Sequence, residues 1–261
     1  MAVEEFVDIL MILMVLLYGL VIGSFLNVCI FRIPRQEEVV KKHSHCMTCG
    51  YTLRWYDNIP LFSYLFLRGR CRKCGTKLSL QYPLVEGLNG ILYVVIFLAN
   101  GFTWSSVLYC LLTSALIVLS VIDWRTFTIP NGINVFILVL GVIYTAVDGY
   151  VNGIDTIPNH LIGMVAVSGF LLVLYLASAG RAIGGGDIKL MAAAGLMIGW
   201  KEAILAFFLG CIIGSVIHVI RMKVSGAQRR LAMGPYLAVG IFLTILWGQI
   251  AIDWYLGLLG F

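Results

Sequence analysis

The stretch FVDILMILMVLLYGLVIGSFLNVCIF, residues 6–31, holds a single charged side chain, Asp8, in twenty-six residues. About 20 apolar residues already cross a hydrocarbon core of about 30 Å, so this run reads as a membrane helix. It is too long for the hydrophobic part of a secretory signal, and it follows Glu4 and Glu5 with no basic residue ahead of it. It is therefore expected to be retained.

The rest of the chain repeats the pattern. Apolar residues make up 61% of the 261 residues and charged residues 12%, far from the balance of a water-soluble domain. Apolar runs at 6–31, 83–99, 104–123, 131–148, 159–179, 187–200, 202–221 and 233–257 predict an all-α polytopic membrane protein of about eight transmembrane helices. The sixth run is short for a full crossing. With the N-terminus outside, 17 of the 18 Lys and Arg residues fall on the cytoplasmic side and only Lys201 falls outside. The net charge of +5 then reflects topology and attraction to the anionic lipid of the bilayer, with no nucleic-acid partner expected.

Residues 32–82 differ from everything else. They are polar and basic, and they carry Cys46-x-x-Cys49 and Cys71-x-x-Cys74, each pair followed by a glycine, Gly50 or Gly75. The spacing suits a tetrahedral four-thiolate Zn2+ site of the structural kind, with no position open for a water. The glycines would let backbone N–H groups approach sulfur. A pair of disulfides is the alternative, disfavoured in a reducing cytosol. His43 and His45 precede the first pair as competing ligands or solvated side chains, whereas Cys29, Cys110 and Cys211 lie in apolar runs as packing residues. The expected organisation is a first helix at 1–31, a zinc-ribbon-like cytoplasmic domain at 32–82 and a membrane-embedded domain at 83–261.

Two carboxylates then need a reason. Asp123 closes the third run and Asp187 opens the sixth behind Gly184, Gly185 and Gly186. The topology puts both at the cytoplasmic ends of their helices, at similar depth. Two aspartates meeting in a partly dry site share a proton, so that one serves as base toward water and the other as acid toward a peptide. The glycines would let a backbone approach an extended peptide. Each residue also has a plainer reading: Asp123 paired with Arg125 or capping a helix, Asp187 as an N-cap, Lys189 reaching for the interface.

Six blocks carry a resemblance. They are GSFLNVCIFRIP at 23–34, DNIPLFSYLFLRGRCRKCG at 57–75, YPLVEGLNG at 82–90, IDWRTFTIPN at 122–131, GGGDIKLMAAAG at 184–195 and MGPYLAVG at 233–240. Together, in this order and over nearly the whole chain, they resemble the type IV prepilin peptidases. The resemblance implies a G-x-G-D membrane aspartyl protease of the bacterial inner membrane. Such enzymes cut the basic leader from type IV prepilins or pseudopilins at the cytoplasmic face. Bifunctional members then methylate the new N-terminus with S-adenosylmethionine. Carried over, the catalytic pair is Asp123 and Asp187, with Gly184, Gly186 and Lys189 in support, and the four cysteines belong to the part associated with bifunctional members. Asn131 departs from the pattern, since many relatives carry an acidic residue there. No Rossmann-type glycine fingerprint marks a methyl-donor site. Glu86 is a candidate to hold the donor or the new amine, and equally a helix N-terminal acid favoured by the dipole. Asn27 and Arg32 are further candidates, with packing and positive-inside anchoring as their plainer readings.

A transporter or channel using the two aspartates as ion ligands is the rival from another class. No internal repeat supports it. A zinc-ribbon scaffold without catalysis would tolerate loss of both aspartates, and a serine-type signal peptidase lacks a Ser/Lys pair at the outer face.

Overall fold

The computed structural model describes residues 2–40, 43–181, 183–225, 231–258 and 260. Lys41, Lys42, Arg229 and Arg230, four of the cations that set the expected orientation, lie outside the described residues. Among the described residues the fold is helical, without strands. It comprises α1 (Ala2–Arg32), α2 (Phe62–Phe66), α3 (Gln81–Asn100), α4 (Trp104–Thr126), α5 (Asn131–Val151), α6 (Ile157–Ala177), α7 (Gly185–Ile198), α8 (Trp200–Ser225) and α9 (Gly234–Leu258). Seven of these are long and apolar enough to cross a membrane, α2 and α7 being the exceptions. The chain divides into two compact units, Met1–Ser106 and Val107–Phe261.

In the first unit α1 packs along α3. The contact is tight because glycines meet it: a Cβ at Gly19 would lie 2.7 Å from Gly90 Cα, and one at Gly23 2.7 Å from Glu86 Cα. Between apolar helices in lipid, close backbone approach and polar bridges replace the hydrophobic drive. Asn89 supplies such a bridge, its Nδ2 donating to Gly19 O at 2.7 Å. Asn27 supplies another, donating to Tyr82 O at 3.2 Å and accepting from Gln81 Nε2 at 3.1 Å. Arg32, at the end of α1, is buried and donates to the carbonyls of Glu38 and Val39, so it organises the chain leaving the helix.

In the second unit the short α7 is wrapped by α5, α6 and α8. Leu190, Met191, Ala193, Ala194 and Met197 on it are buried. Fourteen residues span about 21 Å, which suffices for a helix enclosed by protein. Gly163 and Gly195 let α6 and α7 touch backbone to backbone. A Cβ on Gly163 would lie 2.3 Å from Gly195 O. Gly199, at φ +88°, ends α7 in a conformation that disfavours other residues and allows α8 to start at once.

Candidate active site

Four helix ends of the second unit converge: the C-terminus of α4 and the N-termini of α5, α7 and α9. Phe127, at φ 53°, stops α4 in the left-handed conformation of a helix C-terminus, and its N–H donates to Asp123 O at 2.8 Å. Thr126 and Thr128 join hydroxyls at 2.8 Å and tighten the turn that leads through Pro130 into α5. Asp123 thereby sits in the last turn of α4, only 5% exposed. Its Oδ2 accepts the N–H of Gly234 at 2.9 Å, a donor that the start of α9 leaves without an intrahelical acceptor. Helix capping by the Asp123 side chain is thus real, and it serves α9.

Asp187 is half-buried in the first turn of α7. The N-cap is Gly184 and not Asp187, whose N–H donates to Gly184 O at 3.1 Å. A carboxylate in this turn is favoured by the helix dipole. Of the charges acting on Asp187, the Asp123 carboxylate is the largest. The two acids therefore lie within electrostatic reach of each other. Two of the three glycines have packing reasons to be small, and they differ. A Cβ at Gly184 would lie 3.0 Å from Asp187 Oδ2, one at Gly186 2.9 Å from Ile129 Cβ, and one at Gly185 would meet nothing within 4 Å. Asn134 Nδ2 donates to Gly186 O at 3.4 Å, fastening α5 to the entrance of α7. Lys189, one turn on, donates to Asn131 Oδ1 at 2.8 Å.

The four cysteines meet in the first unit. Their sulfurs lie within 4.8 Å of one another, with Cys46 to Cys74 at 3.8 Å and Cys49 to Cys71 at 4.0 Å. A tetrahedron with metal–sulfur bonds of about 2.3 Å has edges of about 3.8 Å, so the donor set fits Zn2+. All four are free thiols, and their separations are far beyond a disulfide's length of about 2.05 Å. Each knuckle repeats one geometry: the glycine N–H donates to the first cysteine's carbonyl, Gly50 to Cys46 and Gly75 to Cys71, both at 2.9 Å. Backbone N–H groups approach sulfur, and those of Cys49 and Thr48 lower the Cys46 thiol. The hydroxyl and N–H of Thr76 hold Cys74 down to about 6. Isolated antiparallel bridges, His45 with Thr52 and Arg70 with Lys77, close the two loops. His43 and His45 are outside the cluster.

A model of the bacterial peptidase A24 N-terminal domain matches residues 17–100, and a model of the type IV leader peptidase family matches residues 110–219. The chain is 30% identical to a prepilin leader peptidase/N-methyltransferase of Aeromonas salmonicida, covering 93% of each chain. It is 30% identical to one of Pseudomonas aeruginosa, covering 96% of this chain and 95% of the relative, and 31% identical to one of Xanthomonas campestris, covering 93% of each. This chain belongs to the type IV leader peptidase family. No solved structure matches it.

As a leader peptidase family member with seven candidate spans, the chain is a multi-pass protein of the inner membrane. Asp123, Asp187, Gly184, Gly186 and Lys189 come together in the second unit. Glu86 and the cysteines belong to the first, and there Glu86 Oε2 accepts the N–H of Leu61 at 2.9 Å. Two contributors had no role assigned from sequence. Gly234 sits in the block MGPYLAVG at 233–240, and a lone glycine ahead of a proline gives little hint that its N–H meets an acid 111 residues away. Asn134 was visible as a polar residue inside an apolar run.

Proposed function

We propose that Asp123 and Asp187 are the two carboxylates with which this leader peptidase family member hydrolyses the leader peptide bond of type IV prepilins or pseudopilins. One observation carries the reading: two acids from distant sequence positions lie at one end of a helical bundle, where the turn after Asp123's helix packs through Ile129 against Gly186, next to Asp187, and the Asp123 carboxylate accepts the Gly234 N–H. One carboxylate takes a proton from water as its oxygen bonds to the scissile carbonyl carbon. The other protonates the departing nitrogen as the C–N bond breaks. The chain is an enzyme of two activities, the second being N-methylation of the amine so released. S-adenosylmethionine, when bound, would supply the methyl group to that amine, which would lose a proton in exchange.

The four cysteines would hold a structural zinc that shapes residues 32–82, the segment we associate with methylation. Glu86 supports that segment through Leu61. In this reading the N-terminus lies outside and the dyad faces the cytoplasm, an orientation that the Lys and Arg distribution supports. The test is to incubate the purified protein with a prepilin and the methyl donor and read the product's N-terminus by mass spectrometry. Asp123→Asn and Asp187→Asn should each abolish leader release, and the double variant should be little worse, because the pair acts as a unit. Substantial turnover by either single variant overturns the dyad.

A further inference from the structure

We propose that α2, with the turn before it, is an interfacial helix that lays its apolar face into the bilayer surface beside α3. The partner is lipid at the headgroup–acyl boundary. Phe62, Leu65 and Phe66 recur at helical spacing on one side of α2 and are 56%, 71% and 86% exposed, and Trp55, in the 3-10 turn that precedes α2, is 79% exposed. The other side of the helix is engaged: Tyr64 donates its hydroxyl to Leu78 O and packs on Gly69. Three large apolar side chains on one face of α2, with Trp55 exposed close by in sequence, would be costly in water, and their burial needs a partner.

The depth of α2 identifies that partner. The Leu61 N–H bound by Glu86 Oε2 fixes the start of α2 level with the second turn of α3, and Leu61 reaches the space beside Gly87. Glu86 is five residues into α3, about 7.5 Å along the axis at 1.5 Å per residue. The whole of α3, twenty residues, is only about 30 Å long, the thickness of a hydrocarbon core. The beginning of α2 is therefore about as deep as the apolar faces of amphipathic interfacial helices, which sink about 5–10 Å into the boundary region. At that level α3 presents Leu84 and Leu88 outward, the start of a lipid-facing stripe continued by Ile91 and Leu98. The exposed face of α2 extends that stripe sideways.

Charge agrees. Arg54 precedes the apolar turn, and Arg68 and Arg70 follow α2, all exposed, so cations flank the apolar patch as they do in segments that bind anionic lipid. The inference rests on α1 and α3 crossing the membrane and is independent of which side faces the cytoplasm. Its consequence is mechanical. The cysteine knuckle at 71–74 follows α2 after four residues, so a membrane-anchored α2 holds the cluster at the bilayer surface.

The full-length protein tests this with a photoreactive phenylalanine analogue placed at Phe66, at Leu65 or, as a control, at the exposed Lys73. It is reconstituted in nanodiscs of phosphatidylethanolamine and phosphatidylglycerol. Leader release before irradiation verifies that each variant is folded, and the two positions on the stripe cover each other against a folding failure. Irradiation at Phe66 and Leu65 should give lipid adducts several-fold above those at Lys73, with or without added prepilin. Labelling at the Lys73 level, or adducts to prepilin in place of lipid, overturns the proposal. Because the readout is location and not turnover, Asp187→Asn should leave the labelling unchanged.

Discussion

Gly234→Ala puts the reasoning about the dyad under the greatest strain. The added Cβ would stand 2.8 Å from Asp123 Oδ2 and 3.1 Å from Leu119 Cδ2. An ordinary C···O contact is about 3.3 Å or more, so the carboxylate must retreat by about half an ångström. Asp123 is the end of a side chain and can move, so folding suffers modestly. The catalytic geometry does not forgive the same motion. Displacement of a reacting group by about 1 Å can cost about a hundredfold, and the Gly234 N–H bond to a carboxylate, about 1.5–3 kcal/mol, is stretched as well. We expect kcat for leader release to fall about tenfold to a hundredfold, about 1.4–2.7 kcal/mol in barrier. Pro235 follows and restricts a predecessor that carries a Cβ, so thermal unfolding in detergent is measured beside the rate. Gly257→Ala is the control, because its Cβ meets nothing within 4 Å. A folded Gly234→Ala protein with wild-type kcat would show that the anchorage of Asp123 to α9 is irrelevant to chemistry.

Three further outcomes are expected. Metal analysis of the reduced, chelator-free protein should give about one zinc per chain, and Cys71→Ser should lose it and depress methylation more than leader release; a zinc content near zero in the parent protein would exclude the site. Gly163→Ala, whose Cβ would lie 2.3 Å from Gly195 O, should lower stability by at least about 1–3 kcal/mol through backbone overpacking, seen as a lower midpoint of unfolding. Asp57 is opposed by its own desolvation, yet Arg72 at 2.7 Å, the Arg54 N–H and the Tyr51 hydroxyl hold its carboxyl below the usual carboxylate range. A depressed folded-state value stabilises the 45–78 segment above the unfolded value of about 3.9 and is lost as pH falls through the folded value. Asp57→Asn should therefore be less protected from proteolysis than the parent at pH 7, and the difference should close in strong acid; a gap that persists unchanged there refutes the assignment.

The sequence disclosed what repeats or what is chemically conspicuous. Apolar runs against a hydrocarbon thickness predict the long helices, and the described residues hold seven helices long and apolar enough to cross, plus the short α7 where the sixth run is too brief. Four thiols in two C-x-x-C pairs announce themselves, and so do two acids in apolar surroundings. What stayed hidden depends on distance in the chain. The Gly234 N–H is one of 28 glycines' worth of backbone until α9 is docked against α4. Glu86 reads from sequence as an acid to hold the methyl donor or new amine, or as one favoured by the dipole; its partner, the Leu61 N–H, is a backbone donor, and backbone donors carry no sequence signature. The short α2 has the same difficulty: five residues give little periodicity, and only its tie to α3 reveals a depth.

From sequence, the glycine run ahead of Asp187 lets a backbone approach an extended peptide and lets Asp187 point into the cleft. The structure divides the work among three positions. Gly186 is half-buried against Ile129, so bulk there strikes the turn that carries Asp123's helix into α5, and a Gly186→Val enzyme would be impaired by its own packing. Gly184 guards the carboxylate, since a Cβ would press on Asp187 Oδ2. Gly185 alone is exposed with nothing within 4 Å of a Cβ, at the first position of α7, where a side chain neither breaks a helical hydrogen bond nor strains the backbone. The space beside it lies two residues from Asp187 and is not needed by the fold. If the substrate's unwound segment runs there, Gly185→Val should leave the unfolding midpoint and zinc content unchanged while kcat/KM for a prepilin falls at least about tenfold, about 1.4 kcal/mol. The loss should ease when the residue beside the scissile bond is made smaller, because the clash is shared between the two chains. Equal kcat/KM for Gly185→Val and the parent enzyme would place the substrate on the other side of the dyad, along α5 and the Asn131–Lys189 contact.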